Sequence, residues 1–505
     1  MGFICVDAGT TVIKAVGYDD SGAEIAVARR ETGVSRPAPG HAEQDMRAVW
    51  DAVVRTVREV APPSVDFVAV TAQGDGVWLV DSYGEPTGPA ILWNDGRAAA
   101  LIDSGKSDAA FRVSGSASAS GLPNAILTWL KQHDPDRLDR SATALTCGGW
   151  IFSRLTGVVA SDESDGSAPF MDLLARRYSP DLLSLFGLEW AERLLPPLLD
   201  DSHRVAGLTS DALGLPLGTP VVMAPYDIVS TAIGAGAVSA GQACSILGTT
   251  ICTETVVDTP SLDGDPIGIT IAMPGRYLRA FPSFAGTEVL QWACRLLGLP
   301  DPAALTELAA GSEPGAGGLA FLPYFSPAGE RAPFSDPLAR GAFLGMTFEH
   351  GREHVARAVL EGLTMVVQDS LAASGTRPHE LRVCGGGAAS PVWTQLIADV
   401  TGLPVLRSAD AEVGARGAFL VGLAATGASP SLEAAAESFV RLREPVQPVP
   451  GRYGEAYTDF LAVRADNARS WPRLAEMRSR SRSERSERPI RHSRLTLMRP
   501  PKEGA

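Results

Sequence analysis

The sequence predicts an α/β protein built from two domains of similar design, and three observations carry that prediction. The chain has 505 residues, more than one hydrophobic core usually serves, so roughly two to three domains are expected. Strand-like apolar runs alternate with amphipathic helical stretches along most of its length. A hairpin with a distinctive tip near the N-terminus recurs past the middle of the chain.

In the first copy, Phe3 to Val6 reads as a buried strand, DAGTT as a turn, and Val12 to Tyr18 as a second apolar strand. The second copy runs from Ala243 to Leu247 through Gly248, Thr249 and Thr250 into ICTETVV. Between them lie FVAVTAQ, a strand pattern, and NAILTWLKQH, a helical one. After the second copy come a long amphipathic helix, Arg352 to Ala372, and strands at LRVCGGG and LPVLRS. These elements assign residues 1–240 to a first domain and 241–470 to a second. Residues 471–505 are read as a tail, which from Arg478 becomes RSRSRSERSERPIRHSR. Such Arg/Ser repeats bury too little apolar area to offset ordering entropy, so disorder is expected. RNA binding is the competing reading of that charge run, and simple solvation the ordinary one.

Composition narrows the function. Hydrophobic residues make up 45% and charged residues 20%, with a mean hydropathy of +0.06, the balance of a globular protein with sizeable cores. A net charge of -14 repels nucleic acid and anionic membranes, so neither is an expected partner, and a small neutral substrate fits better. The six cysteines form no CxxC pair and have no histidines at metal-ligand spacing. They read as buried thiols of a reducing compartment. No leader pattern opens the chain and no window stays apolar for the roughly 18 residues of a membrane span, so the cytoplasm is the expected location.

Four segments could carry chemistry. Asp7 ends an apolar strand and is followed by Gly9, Thr10, Thr11 and Lys14. Glycine-freed amides, two hydroxyls and an ammonium make a phosphate cradle, and the carboxylate can hold magnesium through water. The bland alternative is an ordinary turn, but its echo at Gly248, Thr249 and Thr250 suggests two loops gripping one triphosphate across a cleft. Asp227, in VVMAPYDIVSTAIGAGAV, falls at a helix start, where the dipole and amides are expected to keep it ionised; on its own it reads first as an N-cap, and only the surrounding motifs reverse that. Gly385, Gly386 and Gly387 follow a strand and precede a helix near Pro391, which lets a nucleotide approach the backbone. With Ser390 the run approximates GxGxxG, the mark of a dinucleotide-binding dehydrogenase. That fingerprint normally opens a domain, whereas this one comes late and leaves both GTT hairpins unexplained.

Together these residues resemble the FGGY family of carbohydrate kinases over nearly all of residues 1–470. The most specific segment is GAFLGMTFEHGREHVARAVLE, Gly341 to Glu361, which is similar to the family's C-terminal signature. PAGERAPFSDPLARG, just before it, resembles the stretch near the domain hinge. TAQGDGVWLVDSYGEPTGPAILWNDGRA resembles the sugar-side segment of xylulokinase-like members, and CGGGAASPVWTQLIADVTGLPV their adenosine-binding segment. GLPNAILTWLKQH corresponds to the N-terminal signature, with Ile126 where the family usually carries lysine.

The resemblance implies two actin-like, ribonuclease-H-like domains with a cleft between them, use of ATP with Mg2+, and phosphoryl transfer to a hydroxyl. It implies that Asp7 organises the metal, that Thr10, Thr11 and Lys14 contact phosphates, and that Gly248, Thr249 and Thr250 do so from the second domain. Gly386, Gly387 and Ser390 would line the nucleotide site, and Asp227 would take the substrate proton. A homodimer is common in such a family.

Substrate choice rests on Gln73, Gly74, Asp75 and Gly76, where xylulokinases commonly read QMHG. Losing a methionine and a histidine enlarges the pocket and supplies a carboxylate that accepts hydroxyl protons. AQGDGVW looks most like erythritol kinases. Asp75 alternatively only shapes a turn. Trp78, Trp93, Asn94 and Arg97 are further pocket candidates, the two tryptophans being equally readable as core. The leading expectation is an erythritol kinase, the alternative a xylulokinase-like ketose kinase, and the reading from another class a non-catalytic actin-like ATP-binding protein.

Overall fold

The structure is a computed structural model and describes residues 2–486. Its first sheet contains β1 (Gly2–Ala8), β2 (Val12–Asp19), β3 (Glu24–Glu31), β4 (Phe67–Ala72), β5 (Val205–Gly207) and β6 (Pro220–Met223), in the order β5-β6-β4-β1-β2-β3. The second contains β7 (Gln242–Leu247), β8 (Ile251–Val257), β9 (Ile269–Met273), β10 (Arg276–Pro282), β11 (Glu380–Cys384) and β12 (Val405–Arg407), in the order β9-β10-β8-β7-β11-β12.

The repeat read from the two hairpins extends to the whole topology. In each sheet the central strand, β1 or β7, pairs antiparallel with its hairpin partner and parallel with a later strand on its other side. Runs β3-β2-β1-β4-β6 and β10-β8-β7-β11-β12 therefore correspond, and each sheet adds one antiparallel edge strand.

Continuous apolar sequence makes β1 and β4 central strands, because both of their faces are covered. Ile4, Val6 and Ala8 point into one core with helix α1 (Met46–Val60) and helix α2 (Cys147–Thr156). Phe3 and Cys5 point the other way, into a core shared with α3 (Asp227–Gly234). Helix α1 starts where the Asp45 side chain accepts from the amides of Arg47 and Ala48, and it buries Val49, Val53, Val57 and Val60 at helical spacing. On the second sheet, α4 (Arg352–Ala373) and α5 (Pro391–Thr401) cover the outer face. Helix α6 (Val413–Ala425) turns back and packs on α3 and the first sheet, so the two sheets enclose one helix pair between them.

Edge strand β9 is tied to the segment between β4 and β5. The Thr270 amide donates to the Gly115 carbonyl at 2.8 Å and the Ala272 amide to Ser167 Oγ at 3.0 Å. Ile126 is fully buried with Leu127 and Leu130 against Val77 and Ile91, so an apolar side chain suits that position. A further helix begins just past the expected boundary at 470. Trp471 opens a helix over Trp471–Ser486 and is buried against Phe334 and Tyr324, a contact that Arg/Ser composition does not reveal. The rest of the Arg/Ser segment, 487–505, lies outside the described residues. Among the described residues no helix is long and apolar enough to cross a membrane.

Candidate functional site

Both hairpin tips open onto one cavity of about 340 Å³ between the sheets, lined by Thr10, Gly74, Asp75, Trp93, Tyr226 and Asp227 from the first half and by Thr250, Cys252, Arg331 and Ser335 from the second. Its two carboxylates arrive by different routes. Asp227 is the first residue of α3, following β6, so the strand-to-helix turn delivers it to the cavity wall. Asp75 sits at the exit of β4 with φ at 53°, in the left-handed region that aspartate tolerates only at a cost. Its neighbours explain the flanking glycines. A Cβ on Gly74 would fall 2.5 Å from the Tyr226 ring, and one on Gly76, itself at φ 70°, 2.5 Å from the Ile91 carbonyl.

Electrostatics separate the two acids. Burial first, and then the Asp7 carboxylate, push Asp227 up to about 8, while the Ile228 amide and Lys14 offset only part of this. The expectation that the helix start keeps Asp227 ionised is thus corrected: one amide and a short helix do not outweigh burial among carboxylates. Burial also raises Asp75, to about 6, with the Arg331 guanidinium opposing.

Asp7 faces Lys14 across β1 and β2, with Nζ 3.7 Å from Oδ2. Burial raises its carboxyl and Lys14 works against that. Lys14 is held more closely by Glu412, at 3.0 Å, and Arg29 Nε donates to the same carboxylate at 3.0 Å. Glu412 immediately precedes α6. Burial works to raise it, yet Lys14 and Arg29 outweigh burial and hold it low. At the second tip, Gly286 packs so tightly that a Cβ there would fall 2.2 Å from the Thr249 carbonyl. Thr249 itself is exposed, as is Thr11. Gly387 is wedged against Trp393 and Leu247, whereas Gly386 faces open space, leaving its backbone approachable. Ser390 caps α5 by accepting from the Trp393 amide at 3.2 Å.

Several expected pocket residues are elsewhere. Gln73 is buried behind the wall, accepting from Thr10 Oγ1 at 2.8 Å and donating to Gln44 at 2.8 Å. Thr10 in turn accepts from Trp93 Nε1 at 3.0 Å, so its hydroxyl is engaged by protein groups on both sides. Trp78 is fully buried 5.7 Å from Trp150, a core residue, while Trp93 is the tryptophan at the cavity. Asn94 is exposed and does not line the cavity. Arg97 is consumed by Asp95 at 2.9 Å and Glu43 at 2.6 Å and lies over the Trp129 ring. Accordingly, Arg97→Met is expected to lower thermal stability, since it strands two acids, and to leave the acceptor KM within about twofold. A tenfold rise in KM in a folded variant would return Arg97 to the cavity wall.

Arg331, Tyr226, Cys252 and Glu412 were not singled out by sequence reasoning. Arg331 within PAGERAPFSDPLARG, Tyr226 beside Asp227 and Cys252 in ICTETVV lie in segments that carry a signal, whereas Glu412 lies in none.

Comparison with known proteins places the chain and its fold in a family. Residues 3–234 match the N-terminal domain model of the FGGY family of carbohydrate kinases, and 243–426 the C-terminal one. The chain is 32% identical to an erythritol kinase of Brucella abortus, covering 94% of this chain and 97% of that one. It is 30% identical to a xylulose kinase of Escherichia coli, over 79% and 85% of the two chains. The crystal structure of a xylulose kinase from Rhodospirillum rubrum superposes with a TM-score of 0.84 at 29% identity, covering 93% of this chain and all of that one. The two-domain, actin-like architecture and the loops at its cleft are those of a sugar or polyol kinase, and the chain belongs to the FGGY family of carbohydrate kinases.

Proposed function

We propose that this enzyme transfers the γ-phosphoryl group of MgATP to a hydroxyl of a small neutral polyol, with erythritol the leading acceptor. The observation that carries this reading is the pair Asp75 and Asp227, two half-buried acids on one cavity that the N-terminal and C-terminal halves share. We assign residues 1–240 to the acceptor and phosphate-loop domain and 241–470 to the nucleotide domain.

Asp227 accepts the proton of the attacking hydroxyl, Asp75 accepts hydrogen bonds from other hydroxyls, and Gly74 with Trp93 shapes the surrounding wall. Lys14 and the amides of Thr10, Thr11, Gly248, Thr249 and Thr250 meet the phosphates. Gly386, Gly387 and Ser390 line the nucleotide side. Magnesium is commonly held by one or two carboxylates while water and phosphate fill the other positions. Asp7 fits that role, because its carboxylate stands beside Lys14 at the phosphate tip. Bound magnesium neutralises developing phosphate charge.

ADP release by the purified protein with MgATP, measured against erythritol, threitol, arabitol, xylitol, D- and L-xylulose, ribulose, gluconate and glycerol, tests the substrate. Erythritol is expected to lead. Preference for a ketose would discard the argument from Asp75 while keeping the kinase, and similarity to xylulose kinases makes that the competing outcome. Failure of every acceptor would remove the polyol reading.

A pH dependence follows from Asp227. A base must be deprotonated to act, so kcat/KM is expected to climb about tenfold per unit as pH rises toward 8 and to level off above it. A profile flat between pH 6 and 9 would show that another group takes the proton.

A further inference from the structure

We propose that Arg331 is a second substrate-reading residue, supplied by the C-terminal half, which donates to hydroxyl oxygens of the same acceptor molecule whose hydroxyl protons Asp75 accepts. The proposal rests on the polyol reading above and adds to it the residue that completes the pocket from the opposite side.

Arg331 lines the cavity together with Asp75 and Asp227. Among the described residues its guanidinium makes one hydrogen bond, from Nε to the Pro282 carbonyl at 2.7 Å. The guanidinium carbon lies 4.7 Å from the centre of the Phe284 ring and 5.7 Å from that of Trp93. One anchor and two aromatic faces fix the plane and leave the terminal amino groups as donors.

No carboxylate stands within ion-pair distance of it among the described residues. Its neighbour Glu330 is occupied, accepting from Ser283 Oγ at 2.9 Å and from the amides of Phe284 at 2.8 Å and Arg331 at 2.9 Å. Among the other arginines with buried side chains, Arg97, Arg204, Arg357 and Arg416 are paired with Asp95, Asp162, Glu361 and Asp410, while Arg137 and Arg279 donate from a terminal nitrogen to the carbonyls of Pro89 and Ile267; Arg331 differs in facing the cavity. An arginine with unspent donors beside a cavity is costly unless something fills them.

A polyol hydroxyl offers one proton and two lone pairs. Asp75 takes protons only, and Arg331 serves lone pairs only, so adjacent hydroxyls can satisfy both at once. Asp75 and Arg331 come from loops of opposite halves of the chain, and the Arg331 guanidinium lies over Trp93 of the first half. Engagement of one acceptor by both residues therefore favours the closed cleft, in which water is excluded from the phosphate.

The test uses the full chain and the variants R331K, R331Q, D75N and D75N/R331Q, with steady-state kinetics for the best acceptor and for ATP, and thermal melting of each protein. R331K is expected to raise the acceptor KM at least tenfold with the ATP KM unchanged within twofold. The double variant is expected to lose at least fivefold less than the product of the single losses, because both residues hold one molecule. An acceptor KM unchanged in folded R331K, or fully multiplicative losses, overturns the proposal and leaves the kinase reading intact. A sugar acid that outranks neutral polyols, and loses that rank in R331K, assigns the guanidinium to a carboxylate and overturns the shared-hydroxyl arrangement. A wild-type protein stimulated by no polyol or sugar removes the polyol reading and this proposal with it.

Discussion

Asp227→Asn is expected to lower kcat by about 10²–10⁴-fold, the range general base catalysis supplies, while ATP affinity stays close to that of the wild type. The amide keeps the size of the carboxyl and can still donate or accept a hydrogen bond, but it cannot take the acceptor proton at the cavity wall. The same substitution has an effect on stability with a definite sign. Burial and the nearby Asp7 hold the Asp227 pKa near 8 in the fold, against about 3.9 in an unfolded chain. The native state therefore binds the extra proton between these values, and the contribution of Asp227 to wild-type stability is greatest below pH 4 and lost as pH rises through 8. Asp227→Asn does not titrate, so its melting temperature is expected to exceed that of the wild type by a margin that grows from pH 5 to pH 9. Turnover within tenfold of wild type would remove Asp227 from proton transfer. A margin that does not change with pH would mean the acid is not held protonated in the fold. Calorimetric titration with ATP and melting at the two pH values supply both readings on one preparation.

What the sequence discloses here depends on how local the cause is. The hairpin tips at Gly9–Thr11 and Gly248–Thr250 are legible because strand alternation and turn chemistry lie within a dozen residues, and their repetition foretells two sheets of matching topology. The N-terminal position of Asp227 on its helix is legible for the same reason. Its protonation is not, because burial and Asp7 act from elsewhere in the chain. Arg97 illustrates the opposite error: beside Trp93 and Asn94 it reads as a sugar contact, yet its guanidinium is spent on Asp95 and on Glu43, which only folding brings near. Glu412 escapes notice because its partners, Lys14 and Arg29, lie at the other end of the chain. Trp471 escapes because its aromatic partners Phe334 and Tyr324 are more than a hundred residues upstream. Family resemblance repairs part of this loss by supplying the cleft, although it does not say which tryptophan or arginine faces the substrate.

The crossing of α3 and α6 is where a single methyl group is expected to do the most damage away from the cavity. The helices meet through Gly234 and Gly417. A Cβ at 417 would fall 1.8 Å from the Ser230 carbonyl oxygen, and one at 234 would fall 1.9 Å from that of Val413. Neither obstacle is a flexible side-chain end; both are backbone, so the helices must separate by more than an ångström. Overpacking of this kind costs about 1–3 kcal/mol and sometimes more, and here it is joined to function because α3 begins with Asp227. Helix α6 lies equally close to the phosphate tip, for a Cβ on Gly414 would sit 2.8 Å from Asp7 Oδ2. Pushing α6 outward thus moves Asp227, the proposed base, relative to Asp7, and a misplacement of about 1 Å is worth roughly 10²-fold in rate. Gly417→Ala is expected to lower the melting temperature by several degrees and kcat by about that factor, with Gly234→Ala behaving alike. Gly33→Ala serves as the control: no atom stands within 4 Å of the added methyl, and its backbone is not left-handed. That variant should melt at or slightly above the wild-type temperature and turn over normally. A Gly417→Ala protein with wild-type melting and rate would show that the two helices separate freely, and that the position of Asp227 is set by β6 and the first sheet alone.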